Sequence, residues 1–71
     1  MDKLNYRKEI ITETDEQVRI STDADDRYIY ITVIDNYEDC AVLTLTLKEA
    51  QRVKRYLAEA ITTNKMNWEE E

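Results

Sequence analysis

Between Cys40 and Ile61 the hydrophobic period of the chain changes without an intervening loop. From Cys40 to Leu47 the residues alternate, with Ala41, Leu43, Leu45 and Leu47 on one face and Val42, Thr44 and Thr46 on the other. From Lys48 onward the apolar positions Ala50, Val53, Leu57, Ala60 and Ile61 join Leu47 at helical spacing and make one stripe. The change has a chemical cause. The Thr46 hydroxyl is placed to accept from the first turn, and Glu49, three residues on, is placed to reach back to the Thr46 amide as a capping box. The last strand and the helix therefore form one unit to which the rest of the chain must attach.

Upstream, the residues supply three more strands. Leu4 to Thr14, with Tyr6, Ile10, Ile11 and Thr12, reads as a first strand whose register is left open by the adjacent isoleucines. After the polar turn Thr14-Asp15-Glu16-Gln17, Val18, Ile20 and Thr22 alternate with Arg19 and Ser21 as a second. Asp23-Ala24-Asp25-Asp26 interrupts, and Arg27 to Ile34 carries the strongest β signal, with Ile29, Ile31 and Val33 on one face and Tyr28, Tyr30, Thr32 and Ile34 on the other. Asp35-Asn36-Tyr37-Glu38-Asp39 is the third turn. The reading is an α+β chain, a four-stranded antiparallel β-meander followed by one C-terminal helix packed on one face (ββββα). Residues 1–63 form the domain and 64–71 an acidic C-terminal tail that carries Trp68, either as a clamp on the fold or as an exposed anchor.

Composition then bounds the function. A chain of 71 residues makes one domain that buries only about 60% of its unfolded surface, so an assembly would help to stabilise it. There is no Gly and no Pro, which removes glycine-rich phosphate loops and nucleophile elbows and leaves the turns to Asp and Asn. With one cysteine and no histidine there is neither an internal disulfide nor a Cys/His zinc site, and no imidazole for acid-base work. No apolar run reaches a membrane span, and Met1 to Arg7 lacks the apolar segment of a secretory signal, so a cytoplasmic protein is expected. Net charge is -6, unevenly spread: residues 1–39 hold five basic and eleven acidic side chains, 40–63 four and two, and 64–71 one and three. The helix is a basic island in an acidic molecule.

Ile29, Ile31, Val33, Leu43, Leu45 and the helix stripe are expected to form the core. One helix covers one face, which leaves Tyr28, Tyr30, Ile34 and Val42 on the other, a surface for self-association or for a flat ligand unless the N-terminal segment folds over it. Four strands running into a helix through Leu45-Thr46-Leu47-Lys48-Glu49-Ala50 is similar to the dimeric single-stranded-DNA-binding transcriptional coactivator family, over about Arg19 to Ile61. The resemblance implies a homodimer whose helices meet across a two-fold axis, with nucleic acid on the curved sheet. The chain departs from that family in its cations: the strands and turns of the matching stretch offer only Arg19 and Arg27 among many carboxylates, a poor surface for phosphate.

Other constellations are better explained as structure. Asp23, Asp25 and Asp26 resemble the opening of an EF-hand loop, but Tyr28 and Ile34 stand where that loop needs Gly and Glu. Asp35 and Asp39 carry no sign of the burial that general acid-base work requires. Lys48, Arg52 and Arg55 read as a solvated helix face, and Cys40, beside Asp39, has no neighbour that favours thiolate. No enzymatic activity, metal or cofactor is expected.

The topology makes a sharper statement. In a meander the first and third turns lie at one end of the sheet, so Glu13, Asp15, Glu16, Asp35, Glu38 and Asp39 gather there, near the end towards which the helix runs. In size, acidity and lack of catalytic machinery the chain resembles small acidic phage anti-defence and host-takeover proteins that block nucleases by imitating nucleic acid. That resemblance implies an inhibitor, acting in the host cytoplasm, whose carboxylates Asp15, Glu16, Asp35, Glu38 and Asp39 meet a basic surface of a nuclease or other nucleic-acid-binding protein. The competing expectation is a homo-oligomer that binds single-stranded nucleic acid or a nucleotide on its sheet face, or that is purely structural or regulatory.

Overall fold

A computed structural model describes residues 3–68. Four strands, β1 (Tyr6–Ile11), β2 (Gln17–Thr22), β3 (Ile29–Ile34) and β4 (Cys40–Leu45), form one antiparallel sheet in the order β1-β2-β3-β4, and α1 (Leu47–Trp68) follows. The ββββα meander read from the hydrophobic periods is the fold. Among the described residues no helix is long and apolar enough to cross a membrane.

Register assigns the two faces. Opposed residues share a face, so the rows Lys8, Ile20, Ile31, Leu43 and Ile10, Val18, Val33, Ala41 lie on one side. Arg7, Ser21, Tyr30, Thr44 and Glu9, Arg19, Thr32, Val42 lie on the other. Pairing of Ile10 with Val18 settles the adjacent isoleucines: Ile10 is on the apolar side and Ile11, opposite Gln17, is on the polar one.

The helix starts where its cap requires. Thr46 N–H donates to Glu49 Oε1 at 2.9 Å and Glu49 N–H donates to Thr46 Oγ1 at 3.2 Å, while Ala50 N–H makes the first helical bond to the Thr46 carbonyl. Its other end differs from the expected boundary, for α1 continues through Asn64 to Trp68. No glycine or proline stands there to stop it, and Lys65 in the last turn favours the carbonyl end of the helix. Trp68 is exposed on that last turn and clamps nothing within the described residues, while Glu69, Glu70 and Glu71 lie outside them.

The core departs further from expectation. The helix stripe does not cover the sheet: Leu45, 7% exposed, is the one buried apolar side chain among the described residues. From it the two arms of the structure diverge. Ala50 is half-buried, but Val53 is 39% and Leu57 58% exposed on the helix, and Leu43 is 52% exposed on the neighbouring strand position. Ile20, Ile29, Ile31 and Leu45 face Ala50, Val53 and Leu57 across an open apolar cleft of about 270 Å³. The short connection at Thr46 directs the helix back over the sheet, but side chains distant in sequence would have to interlock to close the angle, and here they do not.

Candidate functional site

The acidic end is built from two turns of the same construction. Each is a five-residue connection, Thr12 to Glu16 and Asp35 to Asp39. In each the first residue's N–H donates to the last residue's carbonyl, at 2.8 and 2.9 Å, and the fourth residue's N–H donates to the first residue's carbonyl, at 3.1 and 3.0 Å. The side chain of the first residue completes both: Thr12 Oγ1 accepts from Glu16 N–H, and Asp35 Oδ1 accepts from Asp39 N–H and Tyr37 N–H. The fourth residue is left-handed, Asp15 at φ 61° and Glu38 at φ 69°, in a chain that has no glycine to place there.

Asn36 Nδ2 donates across to the Thr14 carbonyl at 3.5 Å, so the two turns touch and the six carboxylates of Glu13, Asp15, Glu16, Asp35, Glu38 and Asp39 occupy one end of the sheet. Their roles divide. Asp35 is half-buried and closes its own turn, and Glu16 accepts from the Thr14 hydroxyl. Glu13, Asp15, Glu38 and Asp39 are exposed, and none forms an ion pair among the described residues. The shared spacing, an oxygen-bearing side chain followed at three residues by an acid and at four by another, was the signal in the sequence that these turns are equivalent.

At the opposite end, carboxylates serve the β2–β3 connection. Asp23 Oδ1 accepts from Asp25 N–H, and Asp26 accepts from Tyr28 N–H through Oδ1 and from the Tyr30 hydroxyl, at 2.7 Å, through Oδ2. The Tyr30 hydroxyl, with the Tyr28 amide, holds the Asp26 carboxyl below the usual carboxylate range, and the same bond pushes the Tyr30 hydroxyl up. Among the described residues no group of His, Cys, Asp or Glu side chains is disposed to hold a metal.

The sheet face away from the helix gathers Tyr30, Ile34 and Val42, with Tyr28 exposed at its margin. It is more polar than the four residues alone suggest, because Glu9 sits on it as a hub. Arg7 donates to Glu9 Oε1 through Nη2 at 2.9 Å, Arg19 donates to Oε1 through Nε at 3.0 Å, and Gln17 donates to Oε2 at 3.0 Å. The Arg7 bond above all, with Arg19, lowers the Glu9 carboxyl below its ordinary range. An open depression of about 390 Å³ lies beside it, lined by Arg7, Arg19, Ser21, Tyr30 and Thr32 among others. Both of its guanidinium groups share the one Glu9 carboxylate and Asp23 also lines the depression, so its charges balance and it presents no net positive surface to a phosphate. This hub escaped the sequence reading because Glu9 and Arg19 become neighbours only through strand pairing.

On α1, Lys48, Arg52 and Arg55 are exposed, and Arg55 lies over the Tyr56 ring, 5.0 Å from its centre. Cys40 is a free, exposed thiol. No family model, curated protein or solved structure matches the chain.

Proposed function

We propose that this chain is a small, non-catalytic protein-binding module, an inhibitor in its simplest form, that presents the carboxylates of its two equivalent turns to a basic, nucleic-acid-binding surface of another protein. The observation that carries the reading is the pair of left-handed acidic residues, Asp15 and Glu38. A left-handed backbone costs a non-glycine residue about 1–2 kcal/mol. Both positions nevertheless hold an acid, on turns that touch each other, with Glu13 and Asp39 beside them. Asp enters the left-handed region more readily than Glu, so the strain is greater at Glu38, and strain kept at a charged surface motivates the functional reading. A partner's Lys or Arg would meet these carboxylates where phosphates otherwise sit, and the acidic field would speed encounter by electrostatic steering. The contact residues are Asp15, Glu16, Glu38 and Asp39, with Asp35 shaping the turn that presents the last two.

The test is parallel affinity purification with the native chain, with a variant carrying Asp15→Asn, Glu38→Asn and Asp39→Asn, and with a variant carrying Lys48→Glu, Arg52→Glu and Arg55→Glu. Asparagine tolerates the left-handed backbone, so the first variant removes three charges and leaves the turns intact. A basic protein retained by the native chain, released by salt and lost only with the asparagine variant supports the reading. Retention that survives the asparagine changes and fails with the helix changes overturns it and makes the basic helix the contact surface.

A further inference from the structure

The open cleft between α1 and the sheet carries a second conclusion, independent of the acidic end. Ile20, Val33 and Leu43 on the sheet and Val53, Leu57 and Ile61 on the helix are each between 39% and 58% exposed, with Leu45 at the vertex. A single chain does not keep so much apolar surface in water and stay folded.

The size of the deficit says what fills it. The accessible surface is 6715 Å², whereas a compact monomer of 8.5 kDa exposes about 4,700 Å². The radius of gyration is 14.9 Å, against about 11 Å for a compact chain of this length. Restoring the compact value in each of two chains would bury about 4,000 Å² in total, within the range of about 2,000–5,000 Å² that obligate homodimers bury. A small ligand in a cleft of about 270 Å³ covers far too little.

We propose that two copies of this chain interlock, the outer part of α1 of each lying in the cleft of the other against Ile20, Val33 and Leu43. The apolar stripe of α1 runs past the residues that face its own sheet, and it is the kind of surface that sheet lacks. Within the strands the apolar face carries a single charged side chain, Lys8, in the row of Ile20, Ile31 and Leu43, so the pairing is made by apolar contact and not by charge. The contact is isologous and closes on itself, which limits the assembly to a pair.

The experiment uses the full chain. Sedimentation equilibrium should return twice the 8.5 kDa of one chain across the micromolar range. Two single-cysteine variants, Leu43→Cys and Ile61→Cys, each with Cys40→Ser, are then mixed and oxidised with copper phenanthroline. A disulfide-linked heterodimer is expected from this pair, and none from Ile61→Cys mixed with Val42→Cys in the same Cys40→Ser background, because Val42 is on the far face. A monomer mass at high micromolar concentration with cooperative unfolding overturns the proposal, as does a doubled mass in which only the Val42 pair cross-links.

Discussion

Thr46 and Glu49 hold each other reciprocally: each backbone N–H donates to the other's side-chain oxygen, at 2.9 and 3.2 Å. Two orphan amides of the first helical turn are satisfied at the point where β4 ends, so the bond pair sets both the stop of the strand and the start of α1. Replacing Thr46 by Ala leaves the Glu49 amide without its acceptor and should destabilise the fold by about 1 kcal/mol. Urea denaturation reads the change. An unaltered midpoint would mean that the helix does not depend on this cap.

Leu45 is the vertex between helix and sheet, and its truncation should be the costliest on the apolar side. Leu45→Ala is expected to lose about 2–4 kcal/mol, because a buried methyl cluster is removed and a cavity remains. Within one chain, half-exposed Leu43 would lose much less on the same change. A Leu43→Ala variant that approaches the Leu45→Ala cost, with a midpoint that depends on protein concentration, is the outcome expected of the interlocked pair.

The left-handed acids make a prediction of opposite sign. Glu38→Gly relieves the backbone at φ 69° but loosens the unfolded chain, so the net effect is a gain of several tenths to about 1 kcal/mol. Glu38→Ala, which keeps the Cβ, should give no such gain. If the glycine variant is more stable but loses the partner retained by the native chain, the strain and the charge belong to one functional device.

Titration checks the Tyr30–Asp26 bond. Asp26 has a depressed carboxyl in the folded chain, so its stabilisation is present above the ordinary carboxylate pKa of about 4 and is lost as pH falls through the lower folded value. Glu9 has the same sign for its own reason, the Arg7 and Arg19 bonds. Tyr30 has the reverse: raised when folded, it stabilises below an ordinary tyrosine pKa of about 10, and the effect is lost as pH rises through the folded value. In an NMR titration, Tyr30→Phe should move the Asp26 carboxyl upward and leave Glu9 in place. An Asp26 titration that ignores the substitution would show that the hydroxyl does not bond to it in solution.

What the sequence by itself determined is what neighbours in the chain decide. Alternation placed β2, β3 and β4 and left the register of β1 open, helical spacing and the Thr46/Glu49 interval placed the start of α1, and short acidic connections made the meander, which brings Asp15 and Glu38 to one end. These are consequences of local torsions and of hydrogen bonds that span three or four residues. Only the tertiary structure decided the rest. The Glu9 hub needs Arg19 carried alongside by pairing of β1 with β2, and the continuation of α1 to Trp68 depends on nothing interrupting it. The angle at Leu45 was the least legible of all. A stripe such as Ala50, Val53 and Leu57 states that a helix has an apolar face, but how closely that face meets Ile20 and Ile31 depends on interlocking side chains far apart in sequence, which no period records.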